Sequence, residues 1–162
     1  MKLVSIDGVT VDLRPVRYEF PDVVGAGADD WDANWLVVSG KVRVEDGRSW
    51  SFSDPCLTTW EARSLGDWLR AVIAGEVEPT ELAGDAEAML ETFTEPNVAV
   101  SLAGRSDASA VVRFHFSFES RPAWVSPDVE VYDFWLALDV PLAELSTAVD
   151  DWESELSPFP AR

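Results

Sequence analysis

The chain has 162 residues and a formal net charge of -18, from 30 Asp and Glu against 12 Lys and Arg. That balance argues against nucleic acid, where each phosphate contact needs a cation, and against anionic membranes for the same reason. It is 47% hydrophobic with eight Trp and eight Phe, so it is not a disordered acidic tail, and no apolar run approaches the roughly 18 residues that span a bilayer. The length predicts a single domain over 1–162 with a real core. One cysteine, Cys56, forms no internal disulfide, and the first residues lack the apolar stretch of a signal peptide, so the expected location is cytoplasmic.

Residues Lys2 to Phe20 read as two short strands. Val11 and Leu13, then Val16, Tyr18 and Phe20, alternate with polar positions, and Pro15 breaks the register between them. Pro21 to Asn34 reads as a Gly- and Asp-rich loop. Strands from Trp35 to Val44 and through Trp50 and Phe52 flank Asp46-Gly47, a strong hairpin signal. Thr58 to Glu61 spells a capping box, and Leu65, Trp68, Leu69, Val72 and Ile73 mark one apolar helix face that ends at Gly75. Gly66 inside this helix is unfavourable unless a neighbour needs the space.

Glu76 to Gly84 is a polar connection, Met89 to Phe93 a short strand, and Val98 to Leu102 a strand after the turn at Glu95-Pro96-Asn97. Val112, Phe114, Phe116 and Phe118 alternate with Arg113, His115 and Ser117, the pattern of a sheet with one wet face. The last strand is expected over Val129 to Leu138. A final helix starts near Pro141 and buries Leu142, Leu145, Val149, Trp152 and Leu156. The order strands, helix, strands, helix predicts an α+β fold: an antiparallel sheet, strongly twisted or in two layers, with two main helices packed on it.

Little here points to catalysis. A histidine base has only His115 to use, and a lone strand histidine reads as a surface or interface residue. Cys56 precedes a helix start, where thiol pKa values fall, but a small buried residue is the plainer reading. Asp29, Asp30 and Asp32 do not match a calcium-loop spacing and read as a solvated face. No catalytic residue, cofactor or metal is therefore expected. Six tryptophans fall in core phase: Trp35, Trp50, Trp60, Trp68, Trp135 and Trp152. Trp31 and Trp124 lie in predicted loops, as contact residues.

The charge is also clustered. No Lys or Arg occurs from Ala71 to Gly104 or from Pro122 to Ala161. Asp150, Asp151, Glu153 and Glu155 fall in the last turns of the final helix, where the dipole disfavours anions. This suggests that something besides stability shaped the surface.

The pieces YEFP (Tyr18 to Pro21), DANWL (Asp32 to Leu36), GRSW (Gly47 to Trp50), DPCLTTWEA (Asp54 to Ala62), DWLRAV (Asp67 to Val72) and TEPN (Thr94 to Asn97) together resemble the WapI family of immunity proteins. The resemblance covers the first two-thirds of the chain, and the last third matches only in its strand-then-helix layout. It implies a non-enzymatic bacterial protein that binds and neutralises a cognate toxin C-terminal domain. A basic, nuclease-type toxin fits the acidic surface. The expected contact residues are Asp29, Asp30, Trp31, Asp32, Trp124, Asp150, Asp151, Glu153 and Glu155. The alternative is a carbohydrate- or small-ligand-binding β-rich module that stacks its ligand on Trp31 and Trp124.

Overall fold

The computed structural model describes residues 1–23, 30–82 and 90–162. They form β1 (Lys2–Val4), β2 (Thr10–Tyr18), α1 (Trp31–Asn34), β3 (Trp35–Arg43), β4 (Ser49–Thr58), α2 (Thr59–Ala74), β5 (Val98–Arg105), β6 (Ser109–Phe116), a 3-10 turn (Phe118–Ser120), β7 (Trp135–Pro141) and α3 (Leu142–Leu156). All strand pairing is antiparallel, in a four-stranded sheet β1-β2-β3-β4 and a three-stranded sheet β5-β6-β7. The architecture is α+β, as expected.

The hairpin and the main helix follow their local chemistry. Gly47 has φ +88°, its N–H donates to the Val44 carbonyl, and Val44 N–H donates to Arg48. This is a turn closed by a left-handed glycine. At the start of α2 both arms of the capping box form: Glu61 N–H donates to Thr58 Oγ1, and Thr58 N–H donates to Glu61 Oε2. At its end Gly75, at φ +79°, and Glu76 donate to the Val72 and Ala71 carbonyls, which closes a Schellman motif. The helix has no basic residue in its last turn. Arg105, from β5, fills that role by donating to the Val72 and Ile73 carbonyls.

One apolar cluster joins the inner faces of both sheets to α2 and α3. Trp152 is fully buried at the helix contact, and its indole Nε1 donates to the Ala62 carbonyl at 2.7 Å. Its ring edge lies 3.4 Å from where a Gly66 Cβ would stand. The glycine thus faces a tryptophan rather than a neighbouring backbone.

Several expectations need correcting. Pro15 does not split β2. The strand continues through a bulge at Val16, which is turned outward and exposed, so Val16 is not in core phase. The loop from Pro21 ends in α1, capped by Asp30. Around Glu91 there is only an isolated bridge to Val100, and Met89 lies outside the described residues. β7 begins at Trp135 rather than Val129, because the preceding segment contains Tyr132 in a left-handed conformation, φ 69°. The second face of β6 is dry at its end: His115 and Ser117 are buried, while Phe118, at φ 50°, turns out to solvent. Trp135, expected in the core, is also exposed.

Candidate partner-binding surface

The two groups best suited to chemistry are both sealed. His115 is 1% exposed, with Nδ1 2.7 Å from the Tyr132 carbonyl and Nε2 3.0 Å from Ser101 Oγ. A carbonyl only accepts, so Nδ1 carries the proton and Ser101 donates to Nε2. Burial lowers the imidazole pKa and outweighs the opposing hydrogen bond to Tyr132, which keeps the ring neutral. The Ser–His contact has the spacing of a nucleophile and its base. However, Ser101 is also 1% exposed, and neither side chain lines any of the described clefts. Cys56 is the extra residue of the β4 bulge opposite Leu36 and Val37. Its thiol pKa is pushed up to about 12, by burial first and then by Asp54. That is the reverse of activation at a helix end. Among the described residues, no group of three or more His, Cys, Asp or Glu is placed to hold a metal ion.

Three of the four acids expected on α3 are taken up in ion pairs at the surface. Asp150 and Glu153 both accept from Arg70 of α2, at 2.5 Å and 2.9 Å, and Glu155 lies 2.6 Å from the Met1 ammonium. They fasten α3 to α2 and to the start of the chain. Asp151 is exposed and makes no ion pair among the described residues. Asp30 caps α1 through the Ala33 N–H, and Asp29 lies outside the described residues. Trp31 and Trp124 are 48% and 41% exposed. Arg48 covers the Trp124 ring at 4.9 Å, and the Trp50 ring meets it edge-on.

Asp32 opens onto an arrangement that spacing along the chain did not reveal. A cleft of about 390 Å³ is lined by Glu19, Asp32, Asp54, Glu95 and Glu119, together with Phe20, Trp35 and Asn97 and without any lysine or arginine. Each carboxylate comes from a different segment. Glu19 follows β2, and Asp54 sits in β4, where it accepts from Asn97 Nδ2 at 3.0 Å. Glu95 belongs to the turn held by Glu61, whose Oε1 accepts from the Thr94 N–H at 2.7 Å. The capping box of α2 therefore also positions an acid of the cleft. Glu119 rides on the 3-10 turn, which is fixed by Ser120 Oγ donating to the Asn97 carbonyl and by Trp50 Nε1 donating to the Ser120 carbonyl.

The carboxylates affect one another. Burial raises the Glu19 pKa, and Asp54, Asp32 and Glu95 add to the rise while Arg17 opposes it. Burial also raises that of Asp54, with Glu119 adding to it. Arg17 makes no ion pair with the cleft acids; its Nη1 donates to the Tyr18 and Glu19 carbonyls instead. The fold thus holds like charges together with no lysine or arginine in the cleft lining, and Arg17, outside that lining, offsets the repulsion on Glu19 in part.

These observations define an antiparallel α+β scaffold with sealed polar groups and an open acidic cleft. The model of the Immunity protein WapI-like family matches residues 2–160, and the chain belongs to that family. The match takes in the last third, where the quoted sequence pieces gave only a layout. No curated protein and no solved structure matches the chain.

Proposed function

We propose that the chain is a non-enzymatic immunity protein that binds and neutralises the C-terminal domain of a cognate toxin in the cytoplasm, through its acidic surface. The toxin's active face is basic in this reading, as a nuclease's substrate groove is, and the carboxylates stand where phosphates would otherwise bind. Family membership supports the immunity role.

The observation that carries the acidic mode is how the cations are used. Arg105, Arg113, Arg121 and Arg162 give their guanidinium groups to main-chain carbonyls. Among the described residues only Asp12, Asp46, Asp150, Glu153 and Glu155 are ion-paired. The remaining charge is left to face a partner.

The test is co-expression with the toxin domain encoded beside the gene. Growth should be rescued, and the purified complex should weaken steeply as ionic strength rises from about 50 to about 500 mM, through screening of exposed charges. A complex whose affinity is flat across that range would overturn the acidic mode, and absence of any complex would overturn the reading itself.

A further inference from the structure

Of the large apolar side chains exposed at the surface, Phe20 lines the acidic cleft and Trp31 packs against Trp35 of its lining, and both sit on firmly held backbone. Arg162 donates from Nη2 to the Phe20 carbonyl at 2.6 Å, from Nη1 to the Pro21 carbonyl at 3.2 Å, and from Nε to the Ala33 carbonyl at 2.7 Å. Its guanidinium lies 3.7 Å over the Tyr18 ring. Buried Asn34 completes the clamp: its Nδ2 donates to the Asp30 and Arg162 carbonyls, and its Oδ1 accepts from Thr59 and from the Arg162 N–H. The Trp31 ring is braced by Trp60 at 5.1 Å, edge to face, and by Trp35 at 6.3 Å. These aromatics are 42% and 48% exposed but are not loosely tethered, so a partner would meet them already ordered.

We infer that Phe20 and Trp31, with the carboxylates of Glu19, Asp32, Asp54 and Glu119 in the cleft that Phe20 and Trp35 line, form the anchor for arginine side chains of a basic protein partner. The inference rests on the toxin-binding reading and places its energetic centre. The chemistry selects arginine. An exposed indole takes a guanidinium on its face, and the adjoining carboxylates accept its forked N–H donors, which a lysine ammonium cannot match in both respects. Exposed tryptophan against arginine is also the pairing in which binding energy concentrates at protein interfaces.

The test has two arms. In the first, the toxin domain is titrated against the wild type, Trp31→Ser, Glu19→Gln/Glu119→Gln, and Asp12→Asn as an acidic control, since Asp12 is already paired with Arg14 and lies outside the cleft lining. Each variant's ¹H–¹⁵N spectrum reports its fold. Trp31→Ser should lose about thirtyfold or more in affinity and the Glu double variant about tenfold, with Asp12→Asn within about twofold. In the second arm, hexa-arginine and hexa-lysine peptides are titrated against the wild type alone, with the indole N–H signals followed. The arginine peptide should shift Trp31 and Trp35 ahead of Trp124 and Trp135, and the lysine peptide should do so more weakly. If the wild type binds the toxin and folded Trp31→Ser binds equally well, the anchor is overturned while the immunity reading stands. If the wild type does not bind at all, that reading falls first. Equal shifts from both peptides, or shifts spread over all exposed indoles, would overturn arginine as the occupant.

Discussion

The acids of α3 come from a stretch without lysine or arginine, whereas Glu19 and Glu119 of the cleft lie two residues from Arg17 and Arg121, and the two groups end in opposite circumstances. Asp150 and Glu153 share Arg70, and Glu155 takes the Met1 ammonium. Glu19, Asp32, Asp54, Glu95 and Glu119 share a cleft with no cation in its lining. Local density of acid along the chain therefore says little about exposed potential. What counts is whether packing delivers a cation from another element, and α2 delivers Arg70 to α3 while no lysine or arginine among the described residues lines the cleft. Exposed pairs of this kind contribute little individually to stability, so the α3 cluster is better understood as setting how the helix docks.

That docking depends above all on Trp152. Replacing it with alanine empties the α2–α3 contact and removes the donor to the Ala62 carbonyl. The cost should be about 3–5 kcal/mol in chemical denaturation, the largest effect expected here. On the cleft side the matching change is Asn34→Ala. It leaves the partners of a fully satisfied buried amide without their bonds and should cost about 1–3 kcal/mol. If Asn34→Ala proved silent in denaturation, the aromatic platform could not be called clamped. If Trp152→Ala were equally silent, α3 would not be held as described.

The sequence reveals these two regions unequally. α2 is legible to the residue, because its capping box and left-handed glycine act within a few positions. The stripe of α3 is legible because Leu145, Val149, Trp152 and Leu156 recur at helical spacing and are buried. The cleft is not legible, since its acids lie from position 19 to position 119 and meet only through sheet register and two turns. Asp32 is legible from its place in an acidic run, and Trp31 from its place in a predicted loop. Glu19, Asp54 and Glu119 carried no local signal. The alternation of β6 also misled at its end: burial of His115 depends on the Tyr132 carbonyl and Ser101, neither of which the period of the strand can show.

A smaller effect, of opposite sign, sharpens the account of α3. Gly66 has ordinary helical geometry, and a Cβ there would meet the Trp152 ring edge at 3.4 Å, a normal contact. Gly66→Ala should therefore stabilise the protein by about 0.5–1 kcal/mol through helix propensity and a restricted unfolded chain, measured as a raised denaturation midpoint. A loss of stability would mean that the two helices pack more tightly than this contact indicates.

The smallest effect bears directly on the cleft. Glu19 and Asp54 have folded-state pKa values above their ordinary 4.5 and 3.8. The folded protein therefore holds more protons than the unfolded chain in the window just above those values, and stability falls as pH rises through it. At neutral pH the charged pair opposes folding. Glu19→Gln/Asp54→Asn should then raise the melting temperature at pH 7 by on the order of 1–2 °C, the residues being partly exposed. The gain should vanish as pH is lowered through the window and the wild-type carboxyls protonate. His115 behaves with the opposite sign: its lowered pKa means stability is lost as pH falls below about 6.5. It is common to both proteins and cancels in their difference. A variant that melts higher yet binds the toxin domain more weakly would show carboxylates kept at a cost to stability for the sake of a partner, whereas one that melts lower would show that Glu19 and Asp54 are structural after all.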